Sequence, residues 1–420
     1  MRYRFLIPVI ALVAMSGGIL RAQSDFQGAM HPVPFNEPPI EYDKQTPGGP
    51  IARLQKRLAS GETTLKYDPI HGWLPALLKE LGISQKSQML LFAKTSLQRN
   101  YISPQNPRSL YFSDDMYVGW IPGAPVMEIS EVDPVLGTVF YDLDNLDREK
   151  LTFNRNSQCL NCHASARSMG VPGHVLRSLR TDEAGEPDQT TAAAEVNHRT
   201  PLPERWAGWY VTGSTGEQAH RGNCIGLEAA DPKGNSARDT LSDLVNLDGY
   251  LQKTSDVVAL MVHDHQTHLH NFITRLNFET RIMLHRYGHI RYLRHQVDAF
   301  LRYLTFAEET ELEGPIEGTS GFAAEFARQG PFDSKGRSLR DFNLKSRMFE
   351  YPCSYLIYTP SFDALPKEMH EHVLKRLYAI LTGEDDSVVY QRISPRAKEA
   401  ALAILRETKP SLPDYWGGAE

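Results

Sequence analysis

The sequence predicts an α+β chain. A small antiparallel sheet comes first, then a segment with few regular signals that holds a close pair of cysteines, then a mainly helical C-terminal half. Two patterns carry this reading. Between about 88 and 145, short β-branched and aromatic runs alternate with turn residues. From about 255, apolar residues recur at helical spacing. Composition is ordinary for a globular protein, with 41% hydrophobic and 23% charged residues in 420, enough for two or three domains or one elaborated body. A net charge of −6 gives no basic surface for nucleic acid.

The elements follow in order. Met1-Arg-Tyr-Arg4 is a short basic start, Phe5 to Leu20 is largely apolar, and Leu20-Arg-Ala22 offers a small-residue cleavage site. Residues 1–22 therefore read as a secretory signal peptide. An uncleaved membrane anchor is the alternative, but the run is short for a span and contains Ser16-Gly-Gly18. No later stretch is long and apolar enough to cross a bilayer, so an exported, periplasmic, soluble mature chain is expected. Residues 23–50 are rich in Pro and Gly and read as an extended or disordered leader. Ile51, Leu54 and Leu58 mark a helix at about 50–60, and Leu74 to Leu81 a second one stopped by Gly82.

Five strand-like runs follow: Met89–Phe92, Ser109–Phe112, Tyr117–Ile121, Val126–Ile129 and Gly137–Tyr141. They complete an α+β region over 51–150. Residues 151–245 hold the cysteine pair, a polar excursion from Thr181 to Asn197, and the aromatic strand Trp206–Gly213. Trp206, Trp209 and Tyr210 suit either a flat apolar cofactor wall or an ordinary buried strand.

Residues 246–420 are mainly helical. Ser255 is the expected N-cap of a long helix whose apolar face carries Val258, Met261, Val262, Leu269, Phe272, Ile273 and Leu276. His265 falls within that face and His268 at its edge, while His263 and His270 point to the opposite side. The run His263 to His270 is thus divided between two faces and does not form one metal cluster. His285, His289 and His295 lie among basic residues and read as solvated. Residues 310–345 read as loop, and Arg347–Tyr358 as a further strand around Cys353. A helix at about 366–382 stops at Gly383, and the last helix begins at Ser394-Pro395.

The chemistry concentrates in Cys159-Leu-Asn-Cys162-His163. This is the Cys-x-x-Cys-His pattern of covalent c-type haem attachment. Two thiols add to two vinyl groups of the porphyrin, and the adjoining imidazole reaches the iron as proximal ligand. Zinc needs two further ligands, and the other cysteines, Cys224 and Cys353, stand alone and far apart. A thioredoxin-like pair should follow a buried strand, which Phe153 to Gln158 is not. With a single such motif, one covalent haem c is expected, bound by Cys159 and Cys162, with His163 on the iron. Cys224 and Cys353 are open to two readings, a disulfide in an oxidising compartment or buried thiols.

Four blocks resemble a family of large, exported mono-haem c-type cytochrome-domain proteins of environmental bacteria. They are Pro107–Asp115, Tyr117–Trp120 with Val132-Asp-Pro134, Cys159–Ser165 with Val171-Pro-Gly173, and Glu204–Gly213. The downstream helices and the Leu412–Trp416 ending are similar too. The resemblance implies haem binding and electron transfer to an unidentified redox partner protein, and it brings no substrate.

The second axial position of the iron decides between electron transfer and open-site chemistry. Met169 is only six residues, about 9 Å of helix rise, past His163, too little to wrap to the other face. The candidates are His220 in a Gly-rich loop, His174 after Pro172-Gly173, and His265 on the core face of the long helix, in that order. The expected function is single-electron transfer. The alternatives are a peroxidase-like oxidoreductase with an open distal site and a haem-based sensor module.

Overall fold

The computed structural model describes residues 32–190, 194–226, 237–410 and 412–417. The expected signal peptide and the first part of the leader lie outside the described residues. In chain order the helices and strands are α1 Pro50–Ala59, α2 Leu74–Glu80, β1 Met89–Leu91, β2 Arg108–Phe112, β3 Met116–Trp120, β4 Val126–Asp133, β5 Gly137–Asp144, β6 Phe153–Arg155, α3 Leu160–His163, β7 Arg177–Ser178, β8 Ala194–Glu195, β9 Trp209–Tyr210, β10 Gly213–Ser214, β11 Ala237–Arg238, α4 Val257–Tyr287, α5 Arg294–Leu304, α6 Phe322–Ala327, α7 Pro360–Asp363, α8 Lys367–Thr382, α9 Val388–Gln391 and α10 Pro395–Thr408. The α+β class holds, with the helices mainly in the C-terminal half. None of the described helices is long and apolar enough to cross a membrane.

The main sheet has seven antiparallel strands in the order β6-β5-β4-β3-β2-β1-β9. It is larger than the sequence suggests. β6 adds to one edge, and β9 pairs with β1 at the other, bringing Tyr210 opposite Leu90. Alternation along the strands divides the side chains between two faces. Tyr111, Met116, Val118, Trp120, Met127, Ile129, Val139, Tyr141 and Leu143 join a core with Ile51 and Leu54 of α1 and Leu74, Leu77 and Leu78 of α2. Phe112, Tyr117 and Val132 point the other way, into the core built around α4.

The described part of the leader is docked, which corrects the extended reading. Val33, Ile40 and Tyr42 are buried in the α1/α2 core, Val33 N donates to Gly170 O, and Tyr42 donates its hydroxyl proton to Thr138 O. Three apolar side chains among the prolines suffice to pin it. Helix α1 lacks a side-chain cap of its own. The buried Glu131 carboxylate serves instead, accepting from Ile51 N at 2.7 Å and from the Tyr141 hydroxyl at 2.7 Å.

Helix α4 runs for 31 residues and ends on Gly288 at φ 70°. Its cap is Asp256, not Ser255. Asp256 Oδ1 accepts from the amides of Val258 and Ala259, whereas Ser255 Oγ bonds Tyr210 O and Leu90 N. One side of α4 packs on α5, α6 and α7, and the other lies on the sheet and the loop after α3. With 23 of its 31 residues buried, no face is left to solvent along most of its length. Two further expectations change. The 310–345 stretch includes α6, and around Cys353 there is no strand but a 3₁₀ turn at Tyr355–Tyr358. Here the aromatic residues are used for helical packing rather than for a ladder.

Candidate functional site

The Cys-x-x-Cys-His segment forms one compact helical turn. Asn156 Oδ1 accepts from Gln158 N at 2.8 Å and starts a 3₁₀ turn, Ser157–Cys159, that runs into α3. Cys159 and Cys162 stand one turn apart, the first half-buried and the second exposed, and neither is in a disulfide. Burial, reinforced by the nearby Asp142 and Glu128 carboxylates, pushes the Cys159 thiol up to about 12. It is therefore protonated at neutral pH.

The His163 ring is fixed from two sides. Its Nδ1 lies 3.0 Å from Gly173 O, and Gly173 N donates back to His163 O at 2.8 Å. The Phe140 ring packs 4.8 Å from it between centroids. Burial lowers the imidazole pKa, the Gly173 carbonyl opposes that shift, and Arg108 acts next. No described residue hydrogen-bonds Nε2. A neutral imidazole with Nδ1–H on a backbone carbonyl presents Nε2 as its basic nitrogen, the arrangement that metal-ligating histidines use.

Sheet register explains the neighbourhood. Phe112, Tyr117, Ser130 and Phe140 are successive cross-strand partners on the α4-facing side. Three imidazoles lie over this row. His263 stands 5.5 Å from Phe112, His174 stands 4.0 Å from Tyr117, and His163 covers Phe140. The row carries imidazoles inward from the surface motif to the second turn of α4.

The structure places the three distal candidates apart. His174 is joined to the motif through Gly173, with Nε2 2.9 Å from Ser130 Oγ and Nδ1 3.5 Å from Thr138 Oγ1. Burial, then its neighbours His163, His270 and His263, holds its pKa well below the usual imidazole value. His220 is buried against Trp206, and its Nδ1 accepts from Gly222 N at 3.1 Å. The Gly-rich context does not leave it in an open loop. His265 lies in the helical core, Nδ1 2.8 Å from His198 Nδ1 and Nε2 2.7 Å from Ser354 Oγ, stacked near Tyr303. The run His263 to His270 is indeed divided: His263 and His270 face Tyr117, and His265 and His268 face Tyr303.

The aromatic trio is core. Trp206 Nε1 bonds Asp264, Trp209 Nε1 bonds Arg177 O, and the Tyr210 hydroxyl bonds Pro104 O. No disulfide joins Cys224 to Cys353; Cys353 is buried in the helical core, and Cys224 lines a small cavity with Arg180 and Arg221. Sequence reasoning gave no role to Phe140, Asn271 or Arg275 around the motif. Only the Val171-Pro-Gly173 block was a signal, and it pointed to Gly173 alone.

Comparison with known proteins finds no matching protein-family model, no matching curated protein and no matching solved structure.

Proposed function

We propose that this chain is an exported mono-haem c-type cytochrome that passes single electrons. The observation that carries the reading is the joint state of the motif. Cys159 and Cys162 are free thiols, the first half-buried and the second exposed, and His163 has Nδ1 committed to Gly173 O while Nε2 has no described partner. These residues fit a covalent porphyrin. Cys159 and Cys162 would hold it by thioethers, and His163 would ligate its iron. When bound, haem c supplies one-electron ferric–ferrous chemistry. Phe140 and the Gly173 carbonyl hold the imidazole plane, and Asp142 and Glu128 place negative charge beside the Cys159 edge.

A second reading has a specific observation in its favour. His174, His220 and His265 all have ring nitrogens engaged by other groups. Moreover, the chain at Gly173 and His174 meets the His163 ring on its Nδ1 side, away from Nε2. This favours an open or water-filled sixth position, hence peroxidase-like or sensor chemistry.

The test is export in a bacterial host that matures c-type cytochromes. A haem stain that survives denaturing electrophoresis, and a pyridine haemochrome of the two-thioether type, are expected. The double variant Cys159→Ala/Cys162→Ala should lose both. A wild-type protein that is exported and folded, but carries no covalent haem in that host, overturns the reading. Slow or absent CO binding by the ferrous protein supports electron transfer, and rapid binding supports the open site.

A further inference from the structure

We propose that Asn271 of α4 is a positioning residue for His163, acting through a single peptide unit to set the reduction potential of the haem inferred above. The inference rests on that reading. The Gly173–His174 peptide is shared. Its carbonyl lies 3.0 Å from His163 Nδ1, and its N–H donates to Asn271 Oδ1 at 2.9 Å. Asn271 Nδ2 in turn donates to His174 O at 2.7 Å, so the amide pairs with residue 174 as a neighbouring strand would.

The result is a continuous hydrogen-bond chain: His163 Nδ1–H, the 173–174 peptide, then Asn271. Donation by the peptide N–H polarises the same peptide's carbonyl and makes it a stronger acceptor. A stronger acceptor on Nδ1–H makes the imidazole a more basic ligand through Nε2. A more basic ligand favours ferric over ferrous iron, which lowers the potential.

The geometry around this chain leaves it little freedom. Asn271 is buried, and its amide lies flush against Gly173. One turn further along α4, the fully buried Arg275 donates from Nη1 to Met169 O at 2.8 Å and is paired with Glu279. On the far side, Thr138 N of β5 donates to Pro172 O at 3.2 Å. The loop from 169 to 174 is therefore held by α4 at both ends and by the sheet between them. Burying an amide and a guanidinium in a helix is costly unless every bond is made. Here the Asn271 amide makes both of its bonds to this loop, and Arg275 divides its bonds between the loop and Glu279.

The test compares haem-loaded wild type with Asn271→Leu and Asn271→Asp. Leu removes the acceptor, whereas Asp keeps Oδ1 and loses only the Nδ2 donor. Asn271→Leu should shift the ferrous-to-ferric ratio at a fixed poise about tenfold toward ferrous, which is 59 mV upward for one electron. Asn271→Asp should stay at or below the wild-type potential. A haem-loaded Asn271→Leu protein at the wild-type potential overturns the proposal, and so does an equal rise in both variants. Absence of covalent haem from wild type sinks the underlying reading instead. If Asn271→Leu does not accumulate, the ferrous wild-type protein decides by NMR. A slowly exchanging His163 Nδ1 proton supports the chain, and one that exchanges as fast as that of an exposed imidazole overturns it.

Discussion

A methyl group on Gly173 would come within 2.2 Å of Asn271 Oδ1 and 3.3 Å of Ser168 Cβ. The glycine is required for space rather than for backbone freedom. Its missing side chain lets the Asn271 amide reach the His174 backbone and lets the carbonyl reach His163. Gly249 is the useful contrast, because nothing lies within 4 Å of a Cβ there. Gly173→Ala is expected to expel the Asn271 amide and cost about 1–3 kcal/mol, the range for overpacking. Gly249→Ala should change stability by less than about 0.5 kcal/mol or raise it slightly. Urea midpoints of the two variants check this. Equal midpoints would mean that the loop moves away from α4 at no cost, and the clamp would lose its meaning.

Among the elements, α4 organises the rest, and its start is the place to test it. Asp256 is fully buried. Besides capping the helix, its Oδ2 accepts from Ser320 N at 2.8 Å and Ser320 Oγ at 2.7 Å. Asp256→Ala therefore loses the cap, about 1 kcal/mol, and leaves a buried amide unpaired, about 1–3 kcal/mol more. A urea midpoint shift corresponding to roughly 2–4 kcal/mol is expected, with Asp256→Asn recovering part of it. A shift below about 0.5 kcal/mol would show that Ser255 caps after all. Helix ends written in local chemistry were legible in the sequence: Gly82, Gly383 and the Ser394-Pro395 start all lie where the rules put them. The central strands were legible from alternation. The second face of α4 was not. Hydropathy assigns His263, Gln266, His270, Asn271 and Arg275 to solvent, yet all are buried; the last four are hydrogen-bonded to groups about 100 residues or more away in sequence, and His263 packs its ring on Phe112 and Tyr117. Periodicity reports which side chains avoid water, and it is silent on polar side chains that satisfy each other. Cys159, Cys162 and His163 were readable because their chemistry is carried by adjacent residues. Their supports come from α4 and β5, and no local pattern encodes them.

For the whole molecule, the polar burial around α4 sets how stability depends on pH. Eight imidazoles among the described residues have pKa values pushed below the ordinary value of about 6.5 by burial: His174, His198 and His265 well below it, His220 and His270 to about 4, His263 to about 3, and His163 and His372 downward as well. Each is neutral in the fold and takes up a proton on unfolding below pH 6.5. Their contribution is present above that pH and is lost as pH falls through the window from 6.5 toward 3. Six of the described carboxyls act in the opposite sense, Glu131, Asp142 and Asp341 with a raised pKa and three others further up. Burial raises Asp264 and Glu309 to about 7 and Asp115 to about 6, so each holds a proton in the fold that it releases on unfolding. Their contribution is full below about pH 4 and is lost as pH rises through 6 to 7. The lowered bases outnumber the raised acids, and carboxylates held low by hydrogen bonds, Asp333, Asp363 and Asp385 among them, act in the same sense as the bases, so unfolding takes up protons on the acid side. Stability should therefore be greatest near pH 7 and fall steeply from pH 6.5 to 4.5. Urea midpoints measured at half-unit steps, with constant ionic strength, check this. A midpoint that stays flat or rises on acidification would mean that the histidines carry protons in the folded protein, and the neutral row over Phe112, Tyr117 and Phe140 would have to be abandoned. Replacing His263 and His270 together by Gln, which keeps a polar side chain but cannot titrate, should flatten the acid limb by about two protons without moving the neutral-side decline.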